Sequence, residues 1–141
     1  MTDHAKLSSF VAIHLAVIDQ STKRRFAGTG VSRRREQDSA RSIAEELVRH
    51  IRINHHIERA GTAVDDAEVV ALVEAELWKL PEAVAKDLVA IDANRKEFAR
   101  TAIVNALVEA LTRSYEFTFL QPEYRGMGPS IYKAPNVGPR R

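Results

Sequence analysis

The sequence predicts a mostly helical α+β protein, with an N-terminal β-hairpin, four helices, a short C-terminal aromatic strand and an irregular tail. Three observations carry that expectation. From Ala40 onward, apolar residues recur at about 100° per residue, in segments separated by capping signals. Before them, Val11, Ile13, Leu15 and Val17 alternate with other residues, as a half-buried strand requires. Near the end, Tyr115, Phe117 and Phe119 alternate with Glu116 and Thr118 in the same way. The chain has 141 residues, of which 45% are apolar and 28% charged, a composition and length that suit one globular domain. Residues 1–120 are expected to form that domain and residues 121–141 a Pro/Gly-rich basic tail.

Taken in order, the first element is Phe10–Asp19. Three of its four alternating residues are β-branched, which favours a pleated surface. The polar stretch Gln20–Lys23 then serves as a hairpin loop before a second strand over Arg25–Val31. The alternative is a helix, because Leu7, Val11, His14 and Ile18 also share one helical face, with Ser8 or Ser9 as a cap. On that alternative the class becomes an all-α bundle. Next, Ala40, Ile43, Ala44, Leu47, Val48 and Ile51 define an amphipathic helix entered near Asp38 or Ser39 and ending before Gly61. A second helix starts at Asp65, with Glu68 placed to reach back as in a capping box, and runs to Leu80.

Pro81 suits the first turn of a third helix, which carries Val84, Leu88, Val89 and Ile91. Asn94 and Glu97 form another capping signal, which starts a fourth helix over Arg95–Arg113. From Ala102 to Leu111 only Asn105 and Glu109 interrupt its apolar character with strongly polar groups. Such a helix is buried in the core or against another subunit, and Ala99, Ala102, Ala106 and Ala110 leave room for a partner helix. Homo-oligomerisation through that face is one expectation. The aromatic strand then completes a small sheet with the N-terminal hairpin. The tail holds four of the five prolines and three of the six glycines, which argues against a regular element there.

Several function classes are excluded or disfavoured at once. The chain has no cysteine, so thiolate nucleophiles, sulfur-ligated zinc, iron–sulfur clusters and disulfides are out. That fits a reducing compartment, and a cytoplasmic location is expected. No apolar run approaches the ~20 residues that cross a bilayer, and no secretory signal is visible, so no membrane association is expected. No GxSxG elbow or SxxK pair presents a nucleophile. The carboxylates at Asp65, Asp66, Glu68, Glu74, Glu76, Glu82, Asp87 and Asp92 fit caps and solvated helix faces better than an acid–base pair. His50, His55 and His56 point in different directions at helical spacing, whereas zinc needs three or four convergent ligands. No catalytic residue, metal or cofactor is therefore expected.

Charge is the positive signal. Residues 1–60 hold 11 Lys+Arg against 7 Asp+Glu, residues 61–120 hold 6 against 11, and residues 121–141 hold 4 against 1. A basic front, an acidic middle and a basic tail speak to partners rather than to fold. Within the front, Lys23, Arg24, Arg25, Arg33, Arg34 and Arg35 place six cations in thirteen residues with no acid among them. Gly28 and Gly30 let the backbone approach a ligand, and Thr29 and Ser32 add hydroxyls. Fixed cations with small donors are what a phosphate backbone requires. Neither a Walker loop nor a full dinucleotide fingerprint is present. At helical spacing Arg41, Arg49, Arg52, His56 and Arg59 extend the loop as a basic stripe, with Glu45 among them.

GTGVSRR leading into an alanine-punctuated helix resembles the last strand and helix of a double-stranded RNA-binding domain. Gly28, Gly30, Ser32, Arg33, Arg34, Ala40, Ala44 and Leu47 carry the resemblance, over about a quarter of the chain. It implies shape-based contacts to an RNA backbone from Arg33 and Arg34. Glu36 stands where that family carries a small residue, and too few residues precede the hairpin for its opening helix and first strand.

The leading functional expectation is thus non-enzymatic binding of nucleic acid, DNA or RNA, through the loop and the arginine-lined helix. The alternative is an adaptor or assembly subunit that meets an acidic protein surface or another partner. It would dock through the fourth helix and the tail residues Tyr124, Met127, Ile131 and Tyr132, since aromatic anchors are the usual energetic centres of such contacts.

Overall fold

The computed structural model describes residues 3–120, as six helices and a small sheet. In chain order these are α1 (Asp3–Ala16), α2 (Gln20–Ala27), α3 (Gln37–Asn54), β1 (His55–Arg59), β2 (Thr62–Ala63), α4 (Asp66–Lys79), α5 (Glu82–Leu88), α6 (Ala93–Ser114) and β3 (Glu116–Phe119). The mostly helical α+β class is thus observed. The four tail residues singled out as anchors, Tyr124, Met127, Ile131 and Tyr132, lie outside the described residues.

The N-terminal hairpin is not formed, and burial explains why. Val11 belongs to both candidate patterns, and Leu15 of the strand pattern lies four residues on along the helix. The helix adds Leu7, and all three are fully buried. The residues that only the strand would bury, Ile13 and Val17, are 58% and 70% exposed. Spacing of four therefore outweighs spacing of two, despite the β-branched side chains. The supposed hairpin loop is the first turn of α2. The Asp19 carboxylate accepts from the Thr22 backbone N–H at 3.1 Å, an N-cap, and Gly28 closes α2 in the left-handed conformation at φ 87°, as a helix C-terminus favours.

α3 also ends earlier than its apolar pattern suggests. His55 is extended at φ −142° and begins β1, which turns back on β2 through Ala60 and Gly61, both at positive φ. Two left-handed residues in a two-residue connection match the twist of a hairpin. β3 pairs antiparallel with the other edge of β1, with Ile57 opposite Phe117, giving the order β2-β1-β3. The aromatic segment is thus a strand whose partner is β1, not an N-terminal hairpin. With 20–27 helical and 28–36 a loop, the likeness to an RNA-binding domain does not extend to the fold, because the strand it needs before α3 is absent.

Neither predicted capping box forms. Asp65 stands at the α4 N-cap without a side-chain cap bond, and Glu68 turns to Arg59 and Tyr115 instead. α6 is capped by Asp92, which accepts from the N–H groups of Asn94 and Arg95, two residues before the predicted signal. α1 and α4 each pack on both long helices, α3 and α6. The core is built from Leu7, Val11 and Leu15 of α1, Ile43, Leu47 and Ile51 of α3, Val69, Val73 and Leu77 of α4, and Ile103, Leu107 and Leu111 of α6. α3 and α6 both run into the sheet, which closes that end of the molecule, while α2, α5 and the loop 28–36 lie beside α3 and α6 towards their starts.

Candidate phosphate-binding groove

The ten predicted cationic residues divide into three groups by what their side chains meet. Lys23 and Arg35 are anchors of the fold. Lys23 is buried, and its ammonium donates to the Ala16 carbonyl at the end of α1. Burial lowers its pKa, and Lys96 and Arg100 lower it further, against the pull of Asp19. The Arg35 guanidinium lies between the rings of Phe26 and Trp78, 4.8 Å and 4.7 Å from their centroids. Its Nε donates to the Phe26 carbonyl at 3.0 Å and its Nη1 to the Leu80 carbonyl at 3.1 Å. Its Nη2 is buried without a hydrogen-bond partner among the described residues. Arg35 therefore ties the loop to α2 and to the α4–α5 junction, using both the fork and the flat face that only arginine offers. Burial lowers its pKa, with Glu82 opposing.

The second group is the stripe. Arg41 meets Glu45 at 3.5 Å and Glu74 of α4 at 3.7 Å. Arg49 bonds Glu46 at 2.6 Å, and Arg52 pairs with Asp66 and donates to the Val64 carbonyl. Arg59 is on β1 rather than on the helix, where it pairs with Glu68. That pairing lowers the Glu68 carboxyl and raises Arg59, and the Tyr115 hydroxyl, donating to Glu68 at 3.0 Å, lowers Glu68 further. All four stripe arginines thus have carboxylates of their own chain beside them.

The third group is Arg24, Arg25, Arg33 and Arg34. None of the four has a carboxylate within ion-pair distance among the described residues. Arg25 donates to two hydroxyls, Ser21 at 2.7 Å and Thr22 at 3.3 Å. Arg24, Arg33 and Arg34 are exposed. Arg24, Arg25 and Arg33 line an open groove of about 420 Å³ together with Ser21, Thr29, Gly30, Val31 and Glu36, and the exposed Arg34 follows Arg33 in the chain. The lining is thus three guanidiniums, two hydroxyls and one carboxylate.

The loop that holds these groups is built, not slack. Thr29 N–H donates to the Arg24 carbonyl, Arg33 N–H to Gly30, and Glu36 N–H to Arg25. Ser32 Oγ donates to Glu36 at 2.8 Å, which holds the one groove carboxylate. A Cβ at Gly28 would meet Arg35 Cγ and backbone N at 3.2 Å, and one at Gly30 would meet Arg25 Cγ at 3.1 Å. Gly28 thus serves the helix end and the passage of Arg35 together. Arg33 holds a left-handed φ of 60°, a conformation costing an ordinary residue about 1–2 kcal/mol.

Ser21 is the groove residue that the sequence pattern did not single out. Its signal was present: once α2 is helical, Ser21, Arg24 and Arg25 fall at i, i+3 and i+4 on one face. The helical spacing read for the histidines holds for His50 alone, because His55 and His56 stand on β1. His50 stacks on His14, with centroids 4.0 Å apart, His55 is buried in β1, and His56 is exposed on the opposite face. Among the described residues no three histidines or carboxylates are placed to hold a metal ion, and no helix is long and apolar enough to cross a membrane. No protein-family model, curated protein or solved structure matches the chain.

Proposed function

We propose that this protein binds nucleic acid in the cytoplasm, without catalysis, by gripping the phosphate backbone in the α2–loop groove. One observation carries the proposal. The cations of Arg24, Arg25, Arg33 and Arg34 have no carboxylate partner among the described residues, whereas the stripe arginines are all paired within the chain. Arg24, Arg25 and Arg33 converge with the hydroxyls of Ser21 and Thr29, which suits a phosphate oxygen that accepts several hydrogen bonds at once. A left-handed arginine at Arg33 adds support. Strain of that kind persists where the side chain's position is used. A footprint of four guanidiniums touches few phosphates, so binding is weak, salt-sensitive and indifferent to base sequence.

Fluorescence anisotropy across a salt series, with duplex DNA, duplex RNA and single strands, tests this. Replacing Arg24, Arg33 and Arg34 by Gln is expected to weaken binding and flatten the log–log salt slope, by about 0.9 for each phosphate of B-DNA no longer neutralised. Replacing Arg41, Arg49, Arg52 and Arg59 by Gln leaves that slope unchanged. No binding by the wild type at low salt, or equal weakening in both variants, would overturn the proposal. The adaptor alternative draws no support from α6, because Ile103, Leu107 and Leu111 are spent in this chain's own core. Its alanines are likewise engaged, with Ala99 and Ala110 buried and Ala102 and Ala106 half-buried.

A further inference from the structure

Four of the exposed large apolar side chains border a single seam. α1 runs past α3 in the opposite direction, with Phe10 against His55 and Phe119 at one end and His14 stacked on His50 in the middle. Along it stand Ile13, Val17 and Ile53, exposed at 58%, 70% and 64%, and Leu120 at 37%. Isolated exposed apolar residues need no explanation, but four beside one helix–helix seam do. The far end opens into a groove of about 630 Å³ lined by Asp19, Glu45, Glu46 and Arg49, and with Arg41 pairing Glu45 there, three carboxylates meet two arginines.

We propose that this seam is covered by residues 121–141 of the same chain. The chain is delivered there: Leu120 N–H donates to the Asn54 carbonyl at 2.7 Å, next to Ile53. Tyr124 follows four residues on, within a reach of about 13 Å, and the span from Phe10 to Val17 along α1 is about 10 Å. Tyr124, Met127, Ile131 and Tyr132 supply apolar anchors for the rim. The segment's net charge of +3, from four Lys+Arg against one Asp+Glu, complements the acidic groove. The phosphate groove lies elsewhere, so this proposal stands or falls separately from the nucleic-acid one.

The chain has no cysteine, so Ser130→Cys gives one site for a nitroxide on the full-length protein. The expected result is loss of the methyl NMR signals of Ile13, Val17 and Ile53. They recover when the nitroxide is reduced, while Ile91 at the α5–α6 turn keeps its signal. Adding Tyr124→Ser and Ile131→Ser to the labelled chain restores the seam signals. In a mixture of isotope-labelled wild type with spin-labelled, unlabelled chain, no loss is expected. Comparable loss in the mixture as well would assign the seam to a second copy and overturn the proposal. No loss in either sample, or equal loss at Ile91, would overturn it as well.

Discussion

Two arginine-rich regions lie next to each other in the sequence, and the fold treats them in opposite ways. Along α3 and β1, Arg41, Arg52 and Arg59 find Glu74, Asp66 and Glu68 on α4, and Arg49 finds Glu46 on its own helix. Around the loop 28–36, Arg25 finds the hydroxyls of Ser21 and Thr22, and Arg24, Arg33 and Arg34 are exposed to solvent. The difference follows from topology. The acidic middle of the chain returns as α4 alongside α3, so it cancels the stripe but not the loop. A count of cations says little about surface potential until the positions of their counter-charges are known.

The largest expected effect comes from Arg35, the loop cation that is not a ligand. Arg35→Ala removes two charge-assisted hydrogen bonds and the filling between Phe26 and Trp78. The expected cost is about 2 kcal/mol or more, with the loop released from α2. Arg35→Lys recovers little, because an ammonium lacks the fork and the flat face. Chemical denaturation measures both. A variant as stable as the wild type would show that the loop is held by its backbone bonds alone, and Arg35 would then rejoin the ligand group.

Arg33 sharpens the contrast at about half that size. Glycine accepts a φ of 60° without the Cβ penalty, so Arg33→Gly is expected to stabilise the fold by about 1 kcal/mol. The same change removes a groove cation and weakens nucleic-acid binding. Stability rising while affinity falls is the signature of a side chain kept for binding rather than for folding. If affinity does not fall, the groove does not use Arg33.

Much of the fold was legible in the sequence, and what was missed has identifiable physical causes. The helical period from Ala40 to Ile51 is strong because seven α3 residues are buried along one face. The start failed because Val11 and Leu15 satisfy spacings of two and four alike, and only the exposure of Ile13 and Val17 separates them. β1 was hidden because Arg52, His56 and Arg59 keep the helical spacing of the basic stripe past Asn54, and an Ala–Gly turn is a weaker hairpin signal than Asn–Gly. At the site, the basic cluster was visible, but not which cations stay uncompensated. That depends on Asp66, Glu68 and Glu74 arriving from α4. The role of Arg35 depends on Trp78 and Leu80, more than forty residues away.

The smallest expected effect tests how well the paired side keeps its charge balance as pH changes. Burial lowers the His14 pKa below its ordinary 6.5, and the stacked His50 and nearby Arg49 lower it further, while Glu46 pulls the other way. The Glu46 carboxyl is itself held below its usual range by Arg49, and His50 adds to this. It therefore stays ionised as histidines begin to charge. Because the folded form of His14 takes up its proton less readily than the unfolded form, its contribution to stability is complete above pH 6.5. It is lost as pH falls through 6.5 towards the folded pKa. Denaturation midpoints measured above and below pH 6.5 should therefore drop for the wild type and drop less for His14→Gln. The nucleic-acid salt slope should not change over the same range if the groove alone grips the backbone, since no histidine lines it. A slope that steepens in acid would instead bring the histidine side of the molecule into the interface.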